Sequence, residues 1–318
     1  MSSAAPEYVG FGMLTPVVIA VVDQLPEHNT GAVIKEVSEF IFDDAAIVAC
    51  LLRQWEVPSA IIGTAVGDDS RGHRLASQLE EWGIQADVRF TKDFKTPVEV
   101  DVSDSGGART YFWQRSSQIL KTLDTADLSP IRGARILYVD WYDGDHILRA
   151  MDEAIRVGIP VFLNFEHGHV DAQLLQHYGS KAVICQAVTD AAQLGHEPPF
   201  EVARKLVRTG VKTAIITLAG EGCFALQGSE AVRVHAPTVT TIDGCGAGAT
   251  FSAGFIYGHL KGWRFRDSLC FATAAASLKV TRAGLEMFPV DQILSAAAQL
   301  KVEQMATAET DMDQDGTL

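Results

Sequence analysis

The chain has 318 residues, of which 47% are hydrophobic and 21% are charged, an ordinary balance for a globular protein with a sizeable buried core. Its 26 lysine and arginine residues against 40 aspartate and glutamate residues give a formal net charge of −14 at pH 7. This charge argues against nucleic acid or an anionic membrane surface as the main partner, although a local group of backbone amides can still bind phosphate.

Cysteine usage and the N-terminal sequence bear on the compartment. The five cysteines are Cys50, Cys185, Cys223, Cys245 and Cys270. No Cys-x-x-Cys pair suggests zinc or redox chemistry, and we predict reduced core residues for all but Cys245. The N-terminus has no basic segment before a long apolar run, and the apolar stretch 17–22 is too short to span a bilayer. We therefore expect a cytoplasmic protein.

The first part of the chain predicts a small separate sheet. Alternating β-branched residues predict strands at 17–23 and 32–40 before any helix, so these strands do not start a β-α-β unit. A second hairpin is predicted at 96–103 and 108–113. We expect a core made of 1–16, 41–95 and 116–306, a small sheet made of 17–40 and 96–115, and a disordered acidic tail at 307–318.

Helices and strands alternate through the rest of the chain. Helices are predicted at 43–55, 72–82, 146–157, 170–177, 189–194, 199–209, 249–261, 266–281 and 290–304. Strands are predicted at 9–13, 59–63, 134–140, 160–165, 182–186 and 213–218, with a further β-like run at 231–241. This alternation and its short apolar runs predict an α/β fold with a buried parallel sheet.

The most informative stretch is 243–255, which reads Asp-Gly-Cys-Gly-Ala-Gly-Ala-Thr-Phe-Ser-Ala-Gly-Phe. A loop with so few side chains lets backbone N–H groups converge on one point, and the following helix directs its positive dipole end at the same point. The stretch therefore predicts a site for an anion. A glycine-rich turn that serves packing alone is the structural alternative.

Here the chain resembles the ribokinase-like (PfkB) carbohydrate kinases, whose signature reads Asp-Thr-x-Gly-Ala-Gly-Asp-x-Phe-x-x-Gly. A second segment, 63–72, is similar to the family's Gly-x-Val-Gly-x-Asp-x-x-Gly, and Asp69 in it is predicted to cap a helix. The resemblance implies a three-layer α/β/α sandwich with a mostly parallel central sheet and a β lid that often joins subunits, hence a homodimer. It also implies ATP and Mg²⁺ as cofactors and a sugar or sugar-like acceptor with a primary hydroxyl.

One position of the signature differs in chemistry. In the family the Gly-Ala-Gly amides, here Gly246, Ala247 and Gly248, stabilise the transferred phosphoryl group, and the aspartate after them is the general base. That position is Ala249, whose methyl group cannot accept a proton. We interpret Ala249 as a replaced catalytic base, so that this chain binds its ligands but turns over very slowly. A natural pseudokinase with a ligand-binding or regulatory role, and a nucleoside kinase, are the alternatives.

The resemblance also assigns residues to the nucleotide. Thr217, Gly220 and Gly222 lie in a segment similar to the family's Thr-Leu-Gly-x-x-Gly loop, with the first glycine displaced to Gly220. Thr273 and Ala276 lie on a helix that resembles the family's adenine-side helix. A plain hairpin turn and close helix packing are the structural alternatives for these two segments.

The predicted metal residues differ from the pattern of the family. Family members carry Asn-x-x-Glu where this chain has Gln186-Ala-Val-Thr-Asp190, so Gln186 and Asp190 could only substitute for the usual residues. Glu166 follows another strand and is a candidate for organising the water ligands of Mg²⁺, with a surface cap as the alternative. In the family the aspartate at Asp243 organises the anion loop and an adjacent monovalent-cation (K⁺) site, and an Asx cap of the turn is the alternative.

The acceptor side differs most from the family. Counting along the chain places Val17 at the position of a sugar-binding aspartate, and places Asp43, Asp44 and Ile47 over a Gly-Gly-x-x-x-Asn segment. Two carboxylates would repel a phosphorylated sugar, so we expect a neutral or amino-bearing acceptor, with helix capping as the alternative for Asp44. Arg115 is a candidate counter-charge near the γ-phosphate, with an exposed arginine as the alternative.

Overall fold

The computed structural model describes residues 5–40, 43–104, 108–188 and 197–305. The helix predicted at 189–194, the residue Asp190 within it, and the acidic tail at 307–318 lie outside the described residues.

The elements follow the predicted alternation. The strands are β1 (Tyr8–Gly12), β2 (Val17–Val22), β3 (Ile34–Phe40), β4 (Ser59–Gly63), β5 (Val66–Gly67), β6 (Gln85–Ala86), β7 (Phe90–Thr91), β8 (Glu99–Asp104), β9 (Arg109–Trp113), β10 (Ile136–Asp140), β11 (Val161–Glu166), β12 (Ile184–Val188), β13 (Thr213–Thr217), β14 (Cys223–Gln227), β15 (Glu230–Val234) and β16 (Val302–Met305). The helices are α1 (Asp44–Gln54), α2 (Ser70–Glu81), α3 (Ser117–Leu120), α4 (Leu148–Val157), α5 (Ala172–Gly179), α6 (Pro199–Arg208), α7 (Ala247–Leu260), α8 (Phe265–Lys279) and α9 (Val290–Ala297).

Two sheets dominate the described part of the chain. The central sheet has the order β16-β15-β14-β13-β12-β11-β10-β1-β4-β6 and is parallel from β6 to β13, with antiparallel pairing from β13 to β16. The small sheet has the order β3-β2-β8-β9, in which two antiparallel hairpins join through parallel pairing of β2 with β8. The predicted mostly parallel α/β fold with a small second sheet is confirmed.

The central sheet lies between two layers of helices. Successive residues of a strand point to opposite faces, so Tyr8 packs in the cluster that contains α1, α7 and α8, and Val9 packs in the cluster that contains α4 and α6. Both clusters are large and apolar, which gives three layers. None of the described helices is both long enough and apolar enough to cross a membrane.

Two predicted elements are present but shorter than predicted. The helix predicted at 290–304 ends at Ala297, and β16 then pairs antiparallel with β15, because β15 would otherwise leave a row of unpaired backbone groups at the edge of the sheet. The β-like run at 231–241 forms a strand only to Val234. Pro237 lacks an amide N–H, and the chain leaves the sheet just before it.

Candidate active site

A cavity of about 110 Å³ lies between the carboxyl end of the central sheet, the starts of α1 and α7, and the small sheet. Its wall is strongly acidic. The acidic residues that line it are Asp43, Asp44, Glu99, Asp101, Asp140 and Glu166. Arg109 and Arg115 are the two lining residues with positive charge. Ligands of α/β proteins usually bind at this end of the sheet, so the position and charge of the cavity both indicate a binding site for a polar ligand.

Several residues singled out from the sequence meet in this cavity although they lie far apart in the chain. Those in its wall are Val17, Asp43, Asp44, Ile47, Arg115, Glu166 and Gly246. The acceptor candidates thus share one cavity with the start of the glycine-rich loop. Ile47 is 4% exposed and Val17 is 4% exposed, so these two supply apolar wall rather than hydrogen bonds.

The two acids at the start of α1 have different roles. Asp43 is the N-cap, and its side chain accepts a hydrogen bond from the amide of Asp44 at 2.9 Å. The Asp44 carboxylate points inward instead, where Nδ2 of Asn164 donates to its Oδ2 at 3.2 Å. Burial, together with the nearby carboxylates of Asp43 and Glu166, raises the pKa of Asp44 to about 7. Asp44 is therefore a cavity residue, and the capping alternative fits Asp43.

Arg115 is an internal bridge and not an exposed arginine. Its side chain is 13% exposed and forms ion pairs with Asp43 and with Asp143, which lies in a 3₁₀ segment at 141–147. Burial acts to lower the pKa of Arg115, but the two carboxylates outweigh burial and raise it. The exposed alternative was wrong. The guanidinium connects the start of α1 to the carboxyl end of β10 and pairs with one buried carboxyl group, that of Asp143, and one partly buried carboxyl group, that of Asp43.

The wall that the small sheet contributes to the cavity was not predicted from the sequence. Glu99 and Asp101 alternate along β8, and Arg109, Tyr111 and Trp113 alternate along β9, so the five side chains face the cavity. The signal that could have found them is the period of two in each strand. The cysteine prediction also needs correction, because Cys245 is buried, with its Sγ donating to Asp101 at 2.7 Å, whereas Cys270, which was predicted as a core residue, is only partly buried.

Asp140 was also missed, although it ends a predicted strand. Nδ2 of Asn164 lies 2.8 Å from Asp140 Oδ2 and 3.3 Å from Glu166 Oε1, in addition to its contact with Asp44. One amide group thus lies within hydrogen-bonding distance of three carboxyl groups, and its two hydrogens can serve two of them at a time. Burial and the charges of Asp44 and Asp43 raise the pKa of Asp140. The position at the end of β10 was the available signal.

The buried carboxyl group of Glu99 is expected to make the stability of the fold depend on pH. Burial, with the charges of Asp43 and Asp101, raises the pKa of Glu99 from 4.5 to about 8. Between these values the folded chain keeps a proton that the unfolded chain has lost, so this contribution to stability falls as the pH rises. We expect the melting temperature of Glu99→Gln to be higher than that of the unmodified chain at high pH, and the difference to become smaller at low pH. Melting curves recorded from about pH 5 to about pH 9 measure this difference. Glu36→Gln, at an exposed position of β3, is the control. A difference in melting temperature that does not vary with pH would contradict this prediction.

The glycine-rich loop begins α7. Gly246 is the N-cap with φ 72° and ψ 6°, a left-handed conformation that favours glycine. Amides of the first helical turn, such as those of Gly248 and Ala249, have no carbonyl partner one turn earlier within the helix and are available to an anion. Cys245 and Gly246 line the cavity, whereas Ala249 is 1% exposed and packs in the core. The predicted anion site thus lies beside the acidic cavity.

Comparison with known proteins decides the family. The profile of the pfkB family carbohydrate kinases matches residues 44–291. The chain belongs to this family. An ATP-dependent 6-phosphofructokinase from Thermoanaerobacterium thermosaccharolyticum is 23% identical over 253 residues, 74% of this chain and 79% of that protein. A candidate ribokinase from Agrobacterium tumefaciens superposes with a TM-score of 0.81 at 19% identity, over 92% of this chain and 98% of that one. Arabidopsis thaliana ribokinase, whose structure was solved with ribose and ATP, superposes with a TM-score of 0.72 at 22% identity, over 92% of this chain and 99% of that one.

Two of the residues predicted for the metal, Glu166 and Gln186, lie beside the loop of this pfkB-family chain. A Cβ placed on Gly248 would lie 3.9 Å from Glu166 Oε1 and 4.0 Å from Gln186 Nε2. Both ends of the Gln186 amide are already used, since Nε2 donates to the carbonyl of Gly248 at 3.3 Å and Oε1 accepts from Ser252 at 2.9 Å. Gln186 therefore fixes α7. Across the described residues, no group of three or more His, Cys, Asp or Glu side chains is arranged to hold a metal ion by itself.

The residues predicted for the nucleotide occupy two segments. Thr217 ends β13, Gly220 lies in a 3₁₀ turn, and Gly222 has φ 95° with a Cβ position only 2.1 Å from the carbonyl oxygen of Val234. Only glycine fits position 222, so its hairpin role is sufficient to explain it. Thr273 is 2% exposed and contacts Cys223 across 3.6 Å, which makes it a packing residue. Ala276 on the same helix is partly exposed.

Asp243 is fully buried at the entrance to the glycine-rich loop. Its Oδ1 accepts from the amide of Cys245 at 2.9 Å and from Ser103 Oγ at 2.7 Å, so it does form the predicted turn cap. Its Oδ2 faces the ammonium group of Lys279 at 2.8 Å. Burial alone would raise the pKa of Asp243, but Lys279 and these hydrogen bonds lower it. Asp243 therefore joins the loop, the small sheet and the end of α8.

Proposed function

We propose that this chain is an ATP-dependent phosphotransferase that acts on a primary hydroxyl of a neutral or amino-bearing sugar or sugar-like molecule. The observation that carries the proposal is that the glycine-rich loop and the acidic cavity lie next to each other. Gly246, which caps α7, lines the same cavity as Asp44 and Glu166. The loop amides would bind the terminal phosphate, and the acidic cavity would bind the acceptor next to it.

The reaction requires a positioned acceptor and a route for one proton. The acceptor oxygen forms a bond to the γ-phosphorus, the bond from that phosphorus to the β–γ bridging oxygen breaks, and ADP leaves. The loop amides stabilise charge on the transferred group. The hydroxyl proton has no acceptor at position 249, because Ala249 carries a methyl group. Proton loss to water or to a more distant carboxylate is slower, so we propose slow turnover for this chain.

The cavity suits Mg²⁺ delivered with ATP. Oδ1 of Asn164 is buried and has no hydrogen-bond partner among the described residues, and Glu166 lies beside Gly248. Oxygen atoms of this kind are the ligands that Mg²⁺ prefers, usually through water and together with substrate phosphates. Glu166 and Asn164 are the residues that would hold it. Bound Mg²⁺ would neutralise charge on the β- and γ-phosphates.

The charge of the cavity supports the choice of acceptor. The two arginines of its wall face six acidic residues, and Arg115 is already paired with Asp43 and Asp143. Few groups of the cavity are left to pair with a sugar phosphate, because Arg115 is already engaged, whereas the hydroxyl and ammonium groups of an acceptor can donate hydrogen bonds to carboxylates. This argument favours an unphosphorylated acceptor, and an amino-bearing one most.

The small sheet is proposed to act as a lid and to join two subunits. Its β8 and β9 supply the wall opposite the central sheet. Apolar side chains are exposed elsewhere on this sheet and next to it, at Val33, Ile34, Val37 and Phe112. Exposed apolar patches of this kind are typical of interfaces, so we propose a homodimer through this sheet.

Binding of Mg·ATP tests the nucleotide part of the proposal. Gly248→Val places its Cβ at ordinary contact distance from Glu166 and Gln186, so the fold is expected to persist while the added methyl groups obstruct the loop. We expect the dissociation constant, measured by calorimetry, to rise at least about tenfold because hydrogen bonds to a charged phosphate are lost. Gly31→Val is the control, since a Cβ at Gly31 meets no atom within 4 Å. Equal affinity in the two variants would refute phosphate binding at this loop.

A further inference from the structure

Lys279 is a buried cation close to the proposed nucleotide site. It is the last residue of α8, and 1% of its side chain is exposed. Its Nζ lies 2.8 Å from Oδ2 of Asp243 and 3.0 Å from the carbonyl oxygen of the same residue. Burial of an ammonium group is unfavourable unless the charge is paired and hydrogen-bonded. The Asp243 oxygens supply that pairing.

Asp243 transmits this interaction to the glycine-rich loop. One carboxylate oxygen holds the amide of Cys245, and the other accepts from Lys279 and from the amide of Gly284 at 3.0 Å. Without the ammonium group, a buried and unpaired carboxylate would stand one residue before the loop. Its charge would repel a phosphate, and the cost of burying it would favour displacement of the carboxylate together with the Cys245 amide that it holds.

The same oxygens are the ones that a monovalent cation would need. The family resemblance places such a cation beside Asp243, and carboxylate and carbonyl oxygens are suitable ligands for it. The structure shows both oxygens in contact with the Lys279 ammonium. A K⁺ ion bound to them would lie against a like charge in a buried site. The residues present therefore do not fit K⁺.

We propose that the Lys279 ammonium is a built-in cation that positions the glycine-rich loop, so that this chain binds nucleotide without a requirement for K⁺. Lys279 is a positioning residue, since it acts through Asp243. The nucleotide part of this inference rests on the proposed function, and the cation part rests on the contacts of Lys279 alone.

The unmodified chain provides the first test. The dissociation constant of Mg·ATP is measured in potassium chloride and in tetramethylammonium chloride at equal ionic strength. We expect a difference of less than about twofold, because the cation position is already filled and screening is matched. Binding that is about tenfold tighter in potassium chloride would overturn the proposal.

The variant Lys279→Met removes the charge and keeps an unbranched side chain. In tetramethylammonium chloride we expect Mg·ATP binding to weaken about tenfold, with most of the loss recovered in potassium or ammonium chloride. Lys212→Met, at an exposed position, is expected to behave as the unmodified chain. Undiminished binding by Lys279→Met in tetramethylammonium chloride, or a loss that neither cation restores, would overturn the proposal.

Thermal unfolding without nucleotide separates this inference from the proposed function. Potassium or ammonium ions are expected to raise the melting temperature of Lys279→Met and to leave that of the unmodified chain unchanged, relative to tetramethylammonium. If the unmodified chain binds no Mg·ATP in any salt, the proposed function fails and the melting temperatures alone decide the cation position. If Lys279→Met is unfolded in tetramethylammonium chloride, refolding by either cation supports the proposal, and no refolding overturns it.

Discussion

The Ala249→Asp variant is expected to consume ATP about 10²- to 10⁴-fold faster than the unmodified chain when a suitable acceptor is present, which is the usual contribution of one general base. Position 249 is the third residue of α7, directly after Gly248. Ala249 is 1% exposed, and the helix dipole, which stabilises a carboxylate in the first turn of a helix, offsets part of the cost of placing a charge there. The measurement is ADP release with ketoses, aldoses, amino sugars and nucleosides as acceptors.

Ala249→Asn is the matched control for this prediction. Its side chain has nearly the size of aspartate but cannot accept the hydroxyl proton, so it is expected to stay as slow as the unmodified chain. If Ala249→Asp and Ala249→Asn are equally slow with every acceptor while both bind Mg·ATP, the replaced-base interpretation fails. The ligand-binding pseudokinase would then be the better description.

The fold could be predicted because its signals are local. The apolar run Val161–Leu163 became a buried strand of the central sheet, and Asp69 accepts hydrogen bonds from the amides of Arg71 and Gly72 as a helix cap should. The strand at Val302–Met305 had no such signal. It forms because the edge of β15 is open to it, and that edge is about 70 residues away in the chain.

The candidate site was only partly predictable for the same reason. Asp43 and Asp44 could be found because counting along the chain aligns them with the family's Gly-Gly-x-x-x-Asn segment at the start of a helix. Glu99 and Arg109 have alternation as their only signal, and the pattern does not show which face of a small sheet meets the core. Lys279 had no signal, since a lysine in the last turn of a helix ordinarily interacts with the helix dipole at the surface. Its burial depends on the distant Asp243.

Arg115→Ala is expected to lower the free energy of unfolding by about 3–5 kcal/mol, because removal of one partner leaves buried carboxylates without compensation. Asp143 is the partner that decides the size of the effect. Its carboxyl group is 1% exposed, and burial already raises its pKa to about 7 although Arg115 acts to lower it. Without the guanidinium, folding at high pH must bury the ionised carboxylates of Asp43 and Asp143 unpaired. Denaturant unfolding at neutral and at high pH measures the loss.

Two further measurements test this prediction: the pH dependence of the stability loss, and the replacement of an exposed arginine as a control. Burial raises the pKa of Asp143 to about 7, so below that pH its carboxyl group can keep its proton in the folded state, and the loss caused by Arg115→Ala should become smaller as the pH falls. Arg74→Ala removes an arginine whose side chain is 57% exposed and paired with Glu39, and its expected cost is less than about 1 kcal/mol. Adding Asp143→Asn to Arg115→Ala should recover part of the lost stability, since the buried charge is then absent. Equal losses for the two arginine variants, or no recovery in the double variant, would show that the Arg115 bridge does not hold the start of α1 against the end of β10.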